Sequence, residues 1–217
     1  MGKGRSFWGM LDESDRAALR SVATKVDFAP KKVICHQGDR SRNVLVVRQG
    51  RVRVTRTAIT GEESVLAVRG PGEIVGEFSA IDGGARAAAL IAVDRVYGLM
   101  IKGQALKDLC HARPSIAWAL LCVVVSRQRA TSDQQDLRTG PALYRVGAVL
   151  LNLAHREEDD MIATVPLSQR ELAGIVGISR ETLVRTLKVL RDEKIIVTRR
   201  NDIKILHEDE LRALCGI

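Results

Sequence analysis

LSQRELAGIVGISRETLVRTLKVL, residues Leu167 to Leu190, reads as two short helices joined by a tight turn. Ser168 and Glu171 fit a reciprocal cap, in which the serine oxygen accepts the Glu171 N–H and the glutamate accepts the Ser168 N–H. Leu167 and Leu172 flank that cap as a hydrophobic staple. The same grammar repeats at once: Ser179 caps the next helix, and Ile178 with Leu183 supplies its staple. Gly177 lies between them, where a turn calls for a left-handed residue. Two capped helices so close together make a helix-turn-helix.

The second helix has two unlike faces. At about 100° per residue, Leu183, Leu187 and Leu190 share one side, while Arg180, Glu181, Arg185, Lys188 and Arg191 share the other. Arg180, Glu181 and Arg185 lie near the helix start, the end that enters a major groove in this motif. Arginine matches the O6/N7 acceptor pair of guanine, and glutamate accepts from the cytosine amine. Phosphate repels a carboxylate, so Glu181 makes sense on such a face chiefly as a base reader. The plainer alternative is a solvated face carrying a Glu181–Arg185 pair one turn apart; the double cap and the turn favour DNA readout. The candidate DNA-facing residues of the two helices are Ser168, Arg170, Ser179, Arg180, Glu181, Arg185 and Lys188.

The run IVGISRETLVR, Ile175 to Arg185, resembles the recognition segment of the cyclic-AMP receptor protein (CRP/FNR) family of bacterial transcription factors. Ser179, Arg180, Glu181, Thr182 and Arg185 match the family's S-R-E-T-x-x-R signature. The resemblance implies that Arg180, Glu181 and Arg185 read a TGTGA-like half-site. Val184 departs from the glycine of the nearest relatives, in the middle of the outward face.

The bulk numbers admit this reading without establishing it. The chain has 217 residues, 46% of them apolar, enough for two small cored domains. Lys and Arg number 34 against 26 Asp and Glu, a net charge of +8 that suits a polyanionic partner. From Thr139 onward, however, 12 basic residues meet 12 acidic ones, and the excess lies in residues 1–138, with 22 against 14. Placement of charge on the recognition helix, rather than net charge, carries the argument. Aromatics are only 3%, which disfavours single-strand binding by stacking. Cys35, Cys110, Cys122 and Cys215 are isolated, as thiols of a reducing cytoplasm are, and neither they nor the four histidines show metal-ligand spacing. The longest apolar run, Ile116 to Val125, falls short of the roughly 20 residues that span a bilayer.

Upstream, residues 11–25 suggest a short amphipathic helix, and Asp27 to Ile101 carries short β-rich runs punctuated by glycine, the signature of an antiparallel roll or barrel. Inside it lies PGEIVGEFSAIDGGARAA, Pro71 to Ala88. Gly76 permits close backbone approach, a short helix from Glu77–Phe78 presents free N–H groups, and Arg86 offers a phosphate two-point contact. Glu77 suits a ribose 2′-hydroxyl. The segment resembles the phosphate-binding cassette of cyclic-nucleotide-binding domains at Gly76, Glu77, Arg86 and Ala88, while Ala87 lacks the hydroxyl that often assists phosphate there. This resemblance implies cyclic AMP as effector, held by Gly76, Glu77, Phe78, Arg86 and Ala87.

A long helix follows, from about Pro114 to Leu137. Ile116, Leu120, Val123, Arg127, Ala130, Gln134 and Leu137 alternate spacings of four and three, a seam for a partner helix or for the chain's own domain. Arg127 is placed to pair with Glu77 or a phosphate. By resemblance this helix dimerises, and Thr131 and Ser132 contact adenine across the dimer. Arg138 to Pro141 breaks it. Ala142 to Ala154 reads as another helix, Ile195 to Leu206 as a hairpin wing from which Arg199 and Arg200 reach phosphate, and Glu157 to Asp160 as an acidic loop that in relatives touches RNA polymerase.

The expectation is an α+β chain: a cyclic-nucleotide-binding β-roll over residues 1–113, a dimerisation helix over 114–138, and a winged helix-turn-helix over 139–217. It describes a cytoplasmic homodimeric transcription regulator on an inverted repeat of double-stranded DNA, with no catalytic machinery, resident metal or membrane.

Overall fold

The structure, a computed structural model, describes residues 6–59, 61, 63–136, 140–154, 162–199 and 202–216, with side chains described in all of these except 130–136. Contacts divide the chain into two compact units, Met1–Arg127 and Gln128–Ile217.

The first unit opens with a 3-10 turn, Trp8–Met10, and helix α1, Glu13–Val22, capped by Asp12. The strands are β1 (Thr24–Phe28), β2 (Val33–Cys35), β3 (Val44–Gln49), β4 (Val52–Thr57), β5 (Glu63–Arg69) and β6 (Ile74–Val75); after helix α2 (Glu77–Asp82) come β7 (Ala89–Ala92) and β8 (Val96–Ile101). They form two antiparallel four-stranded sheets, ordered β1-β8-β3-β6 and β2-β7-β4-β5. Helices α3 (Gly103–Ala112) and α4 (Pro114–Asp136) follow, with the unit boundary falling inside α4.

Strand β3 shows why the roll has two cores. Its Val44, Leu45, Val46 and Val47 are all buried. Side chains alternate between sheet faces, so Leu45 and Val47 join Cys35, Val52, Val75, Leu90, Ala92 and Val96 between the sheets. Val44 and Val46 join Phe7, Leu19, Leu106, Ile116, Leu120 and Val123 under the helices. A strand buried on both faces reads as a continuous apolar run rather than an alternating one.

Four elements differ from the sequence expectation. The first helix ends at Val22 instead of running to residue 25, because Ala23 turns extended and β1 pairs from Thr24 with Met100 of β8. That edge strand is largely exposed, so its sequence carries little apolar signal. Helix α3 and the short strand β9 (Ala163–Val165) were not expected.

The second unit comprises α5 (Ala142–Leu153), β9, α6 (Gln169–Val176), α7 (Arg180–Asp192), β10 (Ile196–Arg199), β11 (Asp202–Ile205) and α8 (Glu208–Cys215). The strands form one antiparallel sheet, ordered β10-β11-β9. Leu167, Leu172, Leu183, Leu187 and Leu190 are fully buried beside Val146, Leu150, Ile203 and Leu211, so the apolar stripe of α7 is the floor of this core. The fold class is α+β, with a β-roll followed by a winged helix-turn-helix. Among the described residues, no single helix is long and apolar enough to cross a membrane.

Leu187→Ala empties part of this core and is expected to cost about 2–5 kcal/mol. Ser168→Ala, which removes only a cap, is expected to cost about 1 kcal/mol. Urea unfolding followed by circular dichroism measures both.

Candidate nucleotide and nucleic-acid sites

In the roll, Gly76 stands at φ 80° and ψ 14°, in the left-handed region, at the start of α2. A Cβ there would come within 2.5 Å of Arg86 Nη1 and 3.1 Å of the Asn43 carbonyl. The glycine therefore serves both the turn and the close approach of the arginine. Arg86 is buried at 6% exposure. Its Nε donates to Ser41 Oγ at 3.2 Å, and its Nη1 donates to the Gly76 carbonyl and to Ser79 Oγ, each at 2.7 Å. Its Nη2 donates to the Asn43 carbonyl. A buried charge needs such partners; here they fix the guanidinium between the loop before β3 and the start of α2.

Glu77 is buried at 3% exposure, and its carboxylate accepts from Arg127 Nη1 of α4. Arg127 Nη2 donates to the Ile74 carbonyl at 2.6 Å. A second pair stands beside them: Arg69 Nη1 meets Glu73 Oε1 at 3.2 Å, and Glu73 Oε2 also accepts from the Gly70 N–H. Burial draws the Arg69 guanidinium below its ordinary range; Glu73 and Glu77 oppose that and Arg127 adds to it. Phe78 is 47% exposed and Ala87 is exposed.

Behind Arg86 a cavity of about 240 Å³ opens between the sheets. Ile34, Leu45, Val75, Leu90 and Met100 supply apolar walls; Cys35, Asp39, Ser41, Asn43 and Arg86 supply polar atoms. Burial pushes the Cys35 thiol up, and Arg86 partly offsets this. Of the expected ligand residues whose side chains are described, only Arg86 lines this cavity. Ser41 and Asn43 were not anticipated, because their contacts with Arg86 are distant in sequence; nor were Ser79 and the Arg69–Glu73 pair.

Helix α4 corrects the seam. Ile116, Leu120 and Val123 are buried in the roll's own core, and Arg127 turns onto Glu77. The face left exposed carries Trp118 at 68%, Leu121 at 51% and Val125 at 42%, again spaced three and four apart. The side chains of Thr131 and Ser132 lie outside the described residues, as do the segment Glu157 to Asp160 and Arg200.

The helix-turn-helix caps form as the sequence requires. Glu171 N–H donates to Ser168 Oγ at 3.3 Å, and Ser168 N–H donates to Glu171 Oε2 at 2.8 Å. Ser179 Oγ accepts from the Thr182 N–H at 3.2 Å. Arg170, Ser179, Arg180, Glu181, Arg185, Lys188 and Arg199 are exposed, whereas Ser168 is half-buried in its cap. Val184, 40% exposed, stands among the charges. Arg191 leaves the outward set: its Nη1 donates to Thr198 Oγ1 of β10 at 3.2 Å, bracing the wing. The Glu181 carboxyl is held below its ordinary range by backbone N–H donation at its own position, then by Ser179, with Arg180 and Arg185 adding attraction.

Comparison with known proteins gives these two sites a common setting. Residues 25–113 match the cyclic nucleotide-binding domain, and residues 144–214 match the Crp-like helix-turn-helix domain. The cyclic AMP receptor protein of Thermus thermophilus is 31% identical over 191 residues, covering 88% of this chain and 87% of that one. The chain belongs to the CRP/FNR family of transcription regulators. A CRP-like cAMP-activated global transcriptional regulator of Mycobacterium tuberculosis is also 31% identical, over 182 residues covering 82% of this chain and 81% of that one. The fold is shared with FixK2 of Bradyrhizobium japonicum at a TM-score of 0.75 and 22% identity, over 89% of this chain and 97% of that one. In this chain a cyclic nucleotide-binding domain thus precedes a Crp-like helix-turn-helix domain.

Arg127→Met leaves the Glu77 carboxylate buried without its cation, and is expected to destabilise the roll by about 3–5 kcal/mol in denaturant titration. Because the Glu181 pKa is depressed, its charge persists at neutral pH and is lost only as pH falls through that lowered value. The ratio of operator affinities of wild type and Glu181→Gln is therefore expected to stay constant from about pH 8 to about pH 5, above the ordinary carboxylate range. Fluorescence anisotropy across that window measures it.

Proposed function

We propose that this regulator is a cytoplasmic homodimer that reads an inverted repeat of TGTGA-like half-sites under the control of cyclic AMP. The observation that carries the reading is the Glu77–Arg127 pair, which joins the phosphate cassette to the helix bearing the exposed apolar stripe. The donor set fits the effector's chemistry. Arg86 supplies charge for a cyclic phosphate, Gly76 gives its backbone room to approach, and Glu77 supplies an acceptor for the ribose 2′-hydroxyl. Phe78 and Ala87 border that site, and Thr131 and Ser132 receive the adenine edge.

Trp118, Leu121 and Val125 are the dimer face of α4 in this reading, in place of the seam expected from the sequence. Two recognition helices then meet successive major grooves about 34 Å apart. Arg180, Glu181 and Arg185 read bases; Arg170, Lys188, Arg199 and Arg200 meet phosphate, beside the capping hydroxyls of Ser168 and Ser179. Cyclic AMP acts by differential affinity, favouring the arrangement with correctly spaced helices. The protein works by binding and not by catalysis, and the acidic segment Glu157 to Asp160 is a surface for RNA polymerase.

A second reading keeps the fold but makes the regulator active without ligand or responsive to a different effector. Its support is the Arg86 guanidinium, already bonded to Ser41, Ser79 and two carbonyls beside an apolar-walled cavity.

The test is fluorescence anisotropy of a labelled TGTGA-containing inverted repeat at one stated salt concentration, since phosphate contacts make affinity salt-dependent. Tight binding that requires cyclic AMP, and is lost in Arg86→Ala, is the expected result. Cyclic AMP gating unchanged in Arg86→Ala overturns the assignment of Arg86, and binding indifferent to cyclic AMP selects the second reading. Leu121→Glu is expected to convert the dimer to monomer in sedimentation velocity.

A further inference from the structure

The turn between α6 and α7 decides where the base-reading side chains point, and its backbone groups can be followed one by one. Gly177 closes α6 at φ 69° and ψ 42°, in the left-handed region. Its N–H donates to the carbonyls of Ala173 and Gly174 at 2.9 and 3.3 Å, and the Ile178 N–H donates to Ala173 at 3.2 Å. The carbonyls on either side of the left-handed turn, Val176 and Gly177, accept from a side chain instead. Nη2 of Arg145, on α5, donates to both, with 3.1 Å to Gly177.

A Cβ on Gly177 would lie 3.2 Å from that same nitrogen, so guanidinium and turn are in contact. The positive group also stands at the C-terminal end of α6, where the helix dipole favours a cation. Arg145 is itself anchored, its N–H donating to the Pro141 carbonyl at 3.0 Å in the first turn of α5. Ser179, two residues beyond Gly177, caps α7, and Arg180 and Glu181 follow directly. A small rotation at Gly177 therefore changes the direction in which the whole of α7, its charged first turns included, is presented.

We infer that Arg145 is a positioning residue for DNA readout: by holding both carbonyls that flank Gly177, it fixes the angle at which α7 presents Arg180, Glu181 and Arg185. The inference rests on the reading of α7 as the base-reading helix. It separates positioning from contact. Phosphate contacts tolerate a reoriented helix because charge attraction is broad, whereas base-edge hydrogen bonds do not.

Wild type, Arg145→Lys and Arg145→Met, all as full chains with cyclic AMP present, are compared by anisotropy on the inverted-repeat duplex and on a scrambled duplex at one salt concentration. Arg145→Met is expected to lose on the order of tenfold in affinity for the inverted repeat while its affinity for scrambled DNA moves by less than about twofold. Arg145→Lys, which keeps the charge and can still reach one carbonyl, is expected to fall between. The affinity penalty for a single base change in the half-site should shrink in Arg145→Met, a readout that loss of fold stability alone would not produce.

Unchanged affinity of both variants for the inverted repeat overturns the inference. So does a parallel fall on both duplexes, the pattern of a destabilised unit, which thermal unfolding reports separately. A wild type that prefers neither duplex overturns the reading of α7, and the inference with it.

Discussion

The roll is organised around a carboxylate and a guanidinium that meet out of water. Glu77 and Arg127 are 4% and 15% exposed in their side chains. Removing two charges from water costs several kcal/mol each, and attraction offsets that only when the remaining hydrogen-bonding groups are also satisfied. The Ile74 carbonyl serves Arg127, and the Arg69–Glu73 pair supplies alternating charge alongside. The pair cannot form unless α4 lies against the roll, and the burial of Ile116, Leu120 and Val123 holds it there. One arrangement thus fixes the cassette, aligns α4 and leaves Trp118, Leu121 and Val125 exposed on the opposite side.

The second unit relies on local devices. A reciprocal cap, a serine cap and a left-handed glycine set the helix ends within a few residues of sequence. The leucine stripe then buries α7 from one side only, leaving its charges outward. Net charge plays little part: basic and acidic residues balance beyond Thr139. The proposed DNA readout rests on the position of Arg180, Glu181 and Arg185 on the outward face of α7, and the chain's positive excess lies elsewhere.

This division explains what was legible in the sequence. The helix-turn-helix could be read almost to the residue because capping and turn formation are short-range. The roll was legible as a class, through apolar runs and glycines, but β1 was not, since an exposed edge strand carries little apolar signal. The heptad spacing of α4 was real, yet period alone cannot say whether a stripe faces a partner or the chain's own core. Ile116, Leu120 and Val123 face the core, and a second stripe with the same spacing remains outside. Arg86 and Glu77 stood out in the sequence as candidate residue types, whereas the partners of Arg86 did not: a carbonyl such as that of Asn43 leaves no mark on residue identity, and serines such as Ser41 and Ser79 are common in loops and helix starts.

We propose that Glu77, held in place by Arg127, receives the ribose of a cyclic nucleotide. Calorimetric titration of the protein with cyclic AMP and with its 2′-deoxy analogue is the test. Cyclic AMP is expected to bind more tightly, by on the order of tenfold, since the analogue leaves a buried carboxylate without its hydroxyl donor. Equal affinity for the two nucleotides would contradict it.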